Sequence, residues 1–377
     1  MTGRSDVGAV ADLRHRYVEQ LRRAGVLDRP GLAEAFAHVP RELFLADGFH
    51  GRDGARTTAT DPAFLPAVYS DEALVTKLRD GTPVSSSSQP SLMATMIDAL
   101  DPVPGARVLE IGAGTGYNAA LLATLGAVVT SLDVQPDVVA RAGAALTRAG
   151  LDRVRVRLAD GYLGDPAGAP YDRVVVTVGV AGISPHWLDQ LTPDGFALVP
   201  TAHAGNHPVL AVRWGRDGRV TGRVVTPAGF MTAAGPLSAR YPGAHPEPLR
   251  DRALPEPTVR HPAVWQPALG VHRYHDLWFA AGVWDRRISY APLPGAGAAG
   301  GCALLGAAGD GAAVITTDGA VLGCGPQAGR YADDALALRD RWIAEGDPRA
   351  ERWRTELTLA GDPEQPIWVP HRWYRAD

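Results

Sequence analysis

The run VLEIGAGTGYNAA at residues 108–120 constrains this chain more than any other stretch. Val108-Leu109-Glu110-Ile111 reads as a buried strand. Three glycines follow at Gly112, Gly114 and Gly116, and Tyr117 to Leu125 reads as a helix that ends before Gly126. A strand that turns on glycines straight into a helix is the first half of a βα unit, and the pattern repeats. Val128 to Val134 is the next strand and Pro136 to Arg148 the next helix, stopping at Gly150. Val154 to Leu158, Arg173 to Val178 and Phe196 to Pro200 are further short apolar runs. Strands alternating with helices require a parallel sheet covered on both faces, so the expected fold class is α/β, doubly wound.

The flanks differ from this core. Residues 8 to 38 read as helical, with Leu13, Val18, Leu21, Leu32 and Phe36 on one face and a break at Pro30-Gly31. A stretch punctuated by Gly, Thr and Pro runs from Gly48 to Pro66. Between Pro227 and Pro267 stand nine prolines, which argues against regular structure. Beyond them the pattern is α+β. Trp278 to Trp284 and Arg287 to Pro292 read as strands, and Asp318-Gly319 between apolar runs as a hairpin turn. Tyr331 to Glu345 reads as an amphipathic helix, Glu356 to Leu359 as a last strand, and the low-complexity Gly295 to Gly301 as a loop. The expected organisation is therefore a catalytic domain over residues 1–225, a proline-rich linker over 226–268 and a C-terminal α+β extension over 269–377.

Composition removes several function classes. A net charge of −4 gives no basic stripe for nucleic acid. Cys302 and Cys324 are too few for a disulfide framework or a four-thiolate zinc site and read as small core residues. There is no apolar run of membrane-spanning length and no apolar signal core at the N-terminus, so a cytoplasmic location without membrane contact is expected. The oligomeric state is not readable from the sequence.

The glycine spacing is G-x-G-x-G, not the G-x-G-x-x-G of dinucleotide binders, whose helix N-terminus holds a pyrophosphate. A Rossmann-like domain with this loop suits S-adenosylmethionine, which has no phosphate. Glu110 at the strand end is placed to attract the cofactor's positive charge, directly or through water. Asp133 ends the second strand seventeen positions after Gly116, where a carboxylate accepts ribose hydroxyls. Asp160-Gly161, just past the third strand, stands where the adenine amino group is met. Cofactor binding is thus expected at Glu110, Gly112, Gly114, Gly116, Asp133, Asp160 and Gly161.

Several segments then occur together in a fixed order: HVPRELF at 38–44, Val68-Tyr69-Ser70-Asp71, SQPSLMATM at 88–96, the glycine loop, ADGYLGDPAGAPYDRVVVT at 159–177 and LDQLTPDGFALVP at 188–200. In these the chain resembles the protein-L-isoaspartate O-methyltransferases over about residues 35–200. HVPRELF and Ser-Gln-Pro are the specific segments; the glycine loop is shared by many methyltransferases. The resemblance implies esterification of a peptide carboxylate. It places the Ser of Ser-Gln-Pro, here Ser88, at the acceptor, with Ser87 and Gln89 beside it as substrate-binding candidates. A carboxylate needs no strong base, only alignment and loss of water. VTVGVAG after the fourth strand lacks the Asn/Asp-Pro-Pro-Tyr/Phe segment that amino-group methyltransferases commonly use.

The chain departs from the family in three places. KLRDGTPVSSS at 77–87 replaces a shorter approach to Ser-Gln-Pro, with a flexible linker as the plain alternative for the serine run. TAHAGNH at 201–207 brings His203 and His207 forward as pocket candidates, His203 as a substrate contact. The extension past the prolines is expected to be absent from the repair enzymes. These departures resemble a branch that methylates one Asp of a ribosomally made peptide (lanthipeptide, lasso peptide or graspetide), the ester then closing to an aspartimide. Repair of isoaspartyl protein, a small-molecule carboxyl methyltransferase and a cofactor-binding recognition module are the alternatives. His38 is expected to be a buried partner and His272 and His275 structural. Trp342, Trp353, Trp368 and Trp373 are expected as core or interface anchors, and the extension as a possible peptide-recognition domain.

Overall fold

The computed structural model of the chain describes residues 3–51, 54–238, 254–292, 300–306 and 309–376. It divides into two compact units: Met1–Val178 with Ser184–Val199 and Val212–Trp214, and Gly179–Ile183 with Pro200–Ala211 and Gly215–Asp377.

The first unit opens with helices α1 (Gly3–Arg23) and α2 (Leu32–His38), separated at the expected Pro30-Gly31 break. A small antiparallel sheet follows, built from β1 (Phe49–His50), β2 (Arg56–Thr57), β3 (Leu74–Arg79) and β4 (Thr82–Ser87) in the order β2-β1-β3-β4, with α3 (Phe64–Val68) between β2 and β3 in the chain. Asp80 and Gly81 turn β3 into β4 with φ of 51° and 77°, the paired left-handed residues of a tight two-residue hairpin. The serine run is therefore not a flexible linker: Ser85, Ser86 and Ser87 are paired with Lys77, Val75 and Leu74.

Helix α4 (Pro90–Leu100) leads into the alternating core: β5 (Arg107–Ile111), α5 (Tyr117–Thr124), β6 (Val128–Asp133), α6 (Pro136–Arg148), β7 (Arg155–Leu158), β8 (Tyr171–Val176), α7 (Pro185–Asp189) and β9 (Leu191–Pro200). The strands lie in the order β9-β8-β5-β6-β7, and every pairing among them is parallel. The chain winds outward from β5 to β7, then returns to place β8 and β9 on the other side. This is the doubly wound α/β methyltransferase fold expected from the sequence. Its switch point lies between the carboxyl ends of β5 and β8, where ligands bind in open α/β sheets. Val108, Leu109, Val174, Val176, Leu121 and Leu122 are wholly buried, and each such side chain contributes about 1.5–3 kcal/mol.

β10 (Val209–Trp214) has residues in both units. The rest of the chain comprises β11 (Val220–Thr226), β12 (Pro257–His261), α8 (Val271–Trp284), β13 (Ile288–Pro292), β14 (Gly300–Leu305), β15 (Ala312–Ile315), β16 (Val321–Cys324), α9 (Ala328–Ala344), β17 (Trp353–Asp362) and β18 (Gln365–Arg375). β12 to β16 form an antiparallel sheet ordered β12-β16-β15-β14-β13, and the Asp318-Gly319 hairpin joins β15 to β16 as expected. Cys302 and Cys324 are free and buried in this sheet, as small core residues.

Three local expectations fail here. Trp278 to Trp284 is helical: Tyr274, Leu277, Trp278 and Ala281 are buried at helical spacing, which outweighs the strand preference of the aromatic residues. The proline-rich stretch supplies β12, paired antiparallel with β16. β18 was not expected, because prolines interrupt it. The N–H and C=O of Trp368 bond Ile183, each at 2.8 Å, so that side of β18 faces away from β17. Pro366 and Pro370, two residues either way, share that side and need donate nothing to the ladder. Of Gly295–Gly301, residues 295–299 lie outside the described residues, and Gly300 and Gly301 begin β14. No helix among the described residues is long and apolar enough to cross a membrane.

Candidate functional site

The carboxyl end of β5 supplies the glycine loop. Gly112 has φ of 99°, and a Cβ on it would lie 2.6 Å from Thr177 Oγ1, so both backbone shape and space require glycine. Thr177 follows β8 and donates its hydroxyl to the Gly112 carbonyl at 2.5 Å. This bond ties the loop across the switch point. Gly116 caps α5, accepting the Ala120 N–H at 3.0 Å.

Two carboxylates brace the loop. Asp133, half-buried at the end of β6, accepts the Gly114 N–H at 3.2 Å and the Gln135 N–H at 3.0 Å. Burial raises its pKa, and the backbone donors oppose that rise. Glu110 has no exposed surface; it accepts the Asn118 amide at 2.7 Å and the Ser131 hydroxyl at 2.5 Å. Burial pushes its pKa up to about 7, against the two hydrogen bonds. Enclosed in this way beneath the glycine loop, Glu110 holds β6 and α5 to β5. Asp160 is exposed beyond β7 and accepts the Tyr162 N–H at 2.9 Å, while the Gly161 carbonyl accepts the Trp187 indole at 2.8 Å.

The β3–β4 hairpin lies against the same loop. A Cβ on Gly114 would stand 3.1 Å from the Ser86 carbonyl oxygen. Gln135, two residues past Asp133, donates to the Val84 carbonyl at 3.0 Å and accepts from Lys77 at 2.9 Å. Ser88 follows β4 directly and is half-buried, with Gln89 between it and α4. Ser87 is buried, and Gln89 donates to Asp71 at 3.2 Å. Asp71 also accepts the Ser91 N–H at 2.8 Å, in the first turn of α4. A cavity lined by Phe44, Thr76, Ser85, Gly114, Thr115 and Arg141 opens beside the hairpin and the loop.

Thus the hairpin that leads into Ser87, Ser88 and Gln89 meets the glycine loop at Ser86 and Gly114 in the first unit. Thr177, Asp71 and Arg41, which the sequence reading left without a role, belong to the same constellation. Arg41 and Asp71 sit inside HVPRELF and Val-Tyr-Ser-Asp, two of the segments that carry the family resemblance.

His203 and His207 lie in the second unit. The His203 ring packs on Phe279 and Trp373, with centroids 4.4 and 5.3 Å away, and its Nε2 is 2.9 Å from the Phe279 carbonyl. Burial pushes both histidines down to about 4, so both are neutral at pH 7. With its Nε2 committed to Phe279, His203 is less suited to hold a substrate than its position in the sequence implied. Among the described residues no group of three His, Cys, Asp or Glu side chains is placed to hold a metal. Trp342 and Trp353 are buried core residues.

Residues 13–237 match the family model described as protein-L-isoaspartate(D-aspartate) O-methyltransferase. A protein-L-isoaspartate O-methyltransferase of Gloeobacter violaceus is 34% identical over 230 residues, covering 60% of this chain and 98% of the relative. Its counterpart in Thermotoga maritima is 36% identical over 191 residues, or 50% and 55% of the two chains. A solved structure titled protein-L-isoaspartate O-methyltransferase matches with a TM-score of 0.52 and 26% identity, over 95% of this chain and 99% of that one. The expected absence of the part beyond the prolines holds for the Gloeobacter relative, which 230 residues nearly span, but not for the solved structure, which matches 95% of this chain, so that part does not by itself set this chain apart. The glycine loop, the strand-end carboxylates and a match over most of the first unit lead to one assignment: the chain belongs to the protein-L-isoaspartate(D-aspartate) O-methyltransferase family and is an S-adenosylmethionine-dependent carboxyl O-methyltransferase.

Proposed function

We propose that this protein esterifies the side-chain carboxylate of an aspartyl residue in a peptide, as a step toward an aspartimide. The observation that carries this reading is the β3–β4 hairpin. The segment in which the sequence departs from the family is a paired hairpin against the glycine loop, ending at Ser87, one residue before Ser88. An acceptor edge built this way favours one backbone geometry at the carboxylate. Isoaspartyl repair is the second reading, supported by the names of the relatives.

When bound, S-adenosylmethionine supplies an electrophilic methyl group on a sulfonium centre. Gly112, Gly114 and Gly116 would let the backbone approach it, Asp133 would accept from its ribose hydroxyls, and Asp160 and Gly161 would stand beside its adenine. Ser88 donates a hydrogen bond that orients one carboxylate oxygen and leaves the other free to attack. Ser87 and Gln89 fix the two ends of that segment. No general base is required, because the acceptor is already ionised at neutral pH. Charge is neutralised along the reaction, so the buried surroundings of Ser87 favour it.

The test is mass spectrometry of the full-length protein with paired peptides differing only in Asp or isoaspartate at one position. Gain of one methyl on the Asp peptide, followed by loss of methanol, is the expected result. Methylation confined to the isoaspartyl peptide establishes repair instead.

A further inference from the structure

We infer that Arg41 is a positioning residue for the acceptor, acting through the Ser87 hydroxyl and the Ser88 carbonyl without touching substrate. The inference rests on the acceptor role proposed above for Ser88.

Arg41 has no exposed surface. One terminal nitrogen donates to the carbonyls of Val68 at 2.8 Å and Ser70 at 3.0 Å. The other donates to the carbonyls of Glu72 at 3.1 Å and Ser88 at 3.1 Å, and to the Ser87 hydroxyl at 3.3 Å. Its guanidinium also lies 5.9 Å from the centre of the Tyr117 ring, the first residue of α5 beyond the glycine loop. Three stretches far apart in sequence converge on this one planar group: residues 68–72, the end of β4 and the start of α5.

The chemistry of the partners separates this from an ordinary buried ion pair. All five acceptors are neutral oxygens, and none among the described residues is a carboxylate. Burying an unbalanced charge is expensive, and an apolar side chain would stabilise a simple core better. A fork of fixed N–H directions, however, gathers several carbonyls at set angles in a way the single point of a lysine cannot. The Ser88 carbonyl is the decisive partner. It belongs to the peptide between the end of β4 and the start of α4, so fixing it sets the direction in which the Ser88 side chain leaves the backbone. The placement also suits a carboxylate acceptor. A cation in contact with the attacking oxygen would hold it in its ground state, whereas one set behind the Ser88 peptide orients without blunting the nucleophile.

The experiment is a double-mutant cycle on the full chain with Arg41→Lys, Ser88→Ala and their combination, assayed on a short L-isoaspartyl peptide and its aspartyl counterpart. Arg41→Lys should lower kcat about tenfold or more while KM changes less than about threefold. Affinity for S-adenosylhomocysteine, measured by calorimetry, should stay within about twofold. In the Ser88→Ala background the same substitution should cost less than about threefold, because the group it positions is gone. Effects that multiply independently, or unchanged kcat in an Arg41→Lys protein that only melts earlier, overturn the inference. If Ser88→Ala itself leaves kcat unchanged, the acceptor role of Ser88 is what fails. Should Arg41→Lys not fold, Ser87→Ala removes one of the five bonds and leaves the guanidinium in place. It should lower kcat about threefold with unchanged affinity for S-adenosylhomocysteine, and no change in kcat counts against the inference.

Discussion

Replacing Glu110 by Gln tests the electrostatics beneath the glycine loop. The carboxyl is wholly buried, and burial raises its pKa from 4.5 to about 7. Between those values the folded chain keeps a proton that the unfolded chain has released. Stability is therefore full below about pH 4.5, falls as pH rises through the window, and levels off above about 7. At roughly 1.4 kcal/mol per pH unit the whole effect is about 3 kcal/mol, of which about 2.5 falls between about pH 5 and about pH 8. Glu110→Gln removes the titration but keeps the shape: its amide can still accept from Asn118 and can donate to the Ser131 hydroxyl. Urea unfolding of both proteins at several pH values across that range, followed by fluorescence, isolates the term because every other titrating group is shared. The variant should be close to wild type at the acid end and gain about 2.5 kcal/mol relative to it at the alkaline end. Parallel stability curves over that range would refute the reasoning, since they require a carboxyl that titrates alike folded and unfolded.

Asp133→Ala should weaken binding of S-adenosylhomocysteine by about 2–3 kcal/mol in calorimetry, and Asp133→Asn by less, because the amide oxygen still accepts the Gly114 N–H; equal losses would deny the acceptor role. Ser88→Ala should lower kcat about tenfold with unchanged cofactor affinity, whereas Ser86→Ala, within the hairpin, should leave kcat within about twofold of wild type. Thr177→Val, which deletes the hydroxyl bonded to the Gly112 carbonyl, should cost about 1 kcal/mol of cofactor affinity. An unchanged dissociation constant would mean that the loop holds its shape without that bond.

What the sequence determined by itself was whatever depends on neighbours along the chain. The strand–glycine–helix run fixed β5 and α5, because φ at Gly112 and the apolar period of the flanks are local properties. The placement of Asp133 and Asp160 is local in the same sense: Asp133 ends β6, and Asp160 lies two residues past β7. The Asp80-Gly81 turn is equally local, since both residues take left-handed backbone angles that a short Asp-Gly pair adopts readily. Other features were decided by the fold alone. Whether Trp278 to Trp284 coils or extends depends on which surface it meets, and burial of Tyr274, Leu277, Trp278 and Ala281 selects the helix. β18 tolerates Pro366 and Pro370 because they lie on the side that faces away from β17, the side on which Trp368 bonds Ile183. That Glu110 is enclosed by Asn118 and Ser131 likewise depends on how α5 and β6 pack. Arg41 and Ser88 lie 47 positions apart, and nothing near either residue names the other. A buried fork finds its five oxygens only after the helix, the hairpin and the intervening loop have packed, so that choice belongs to the tertiary structure.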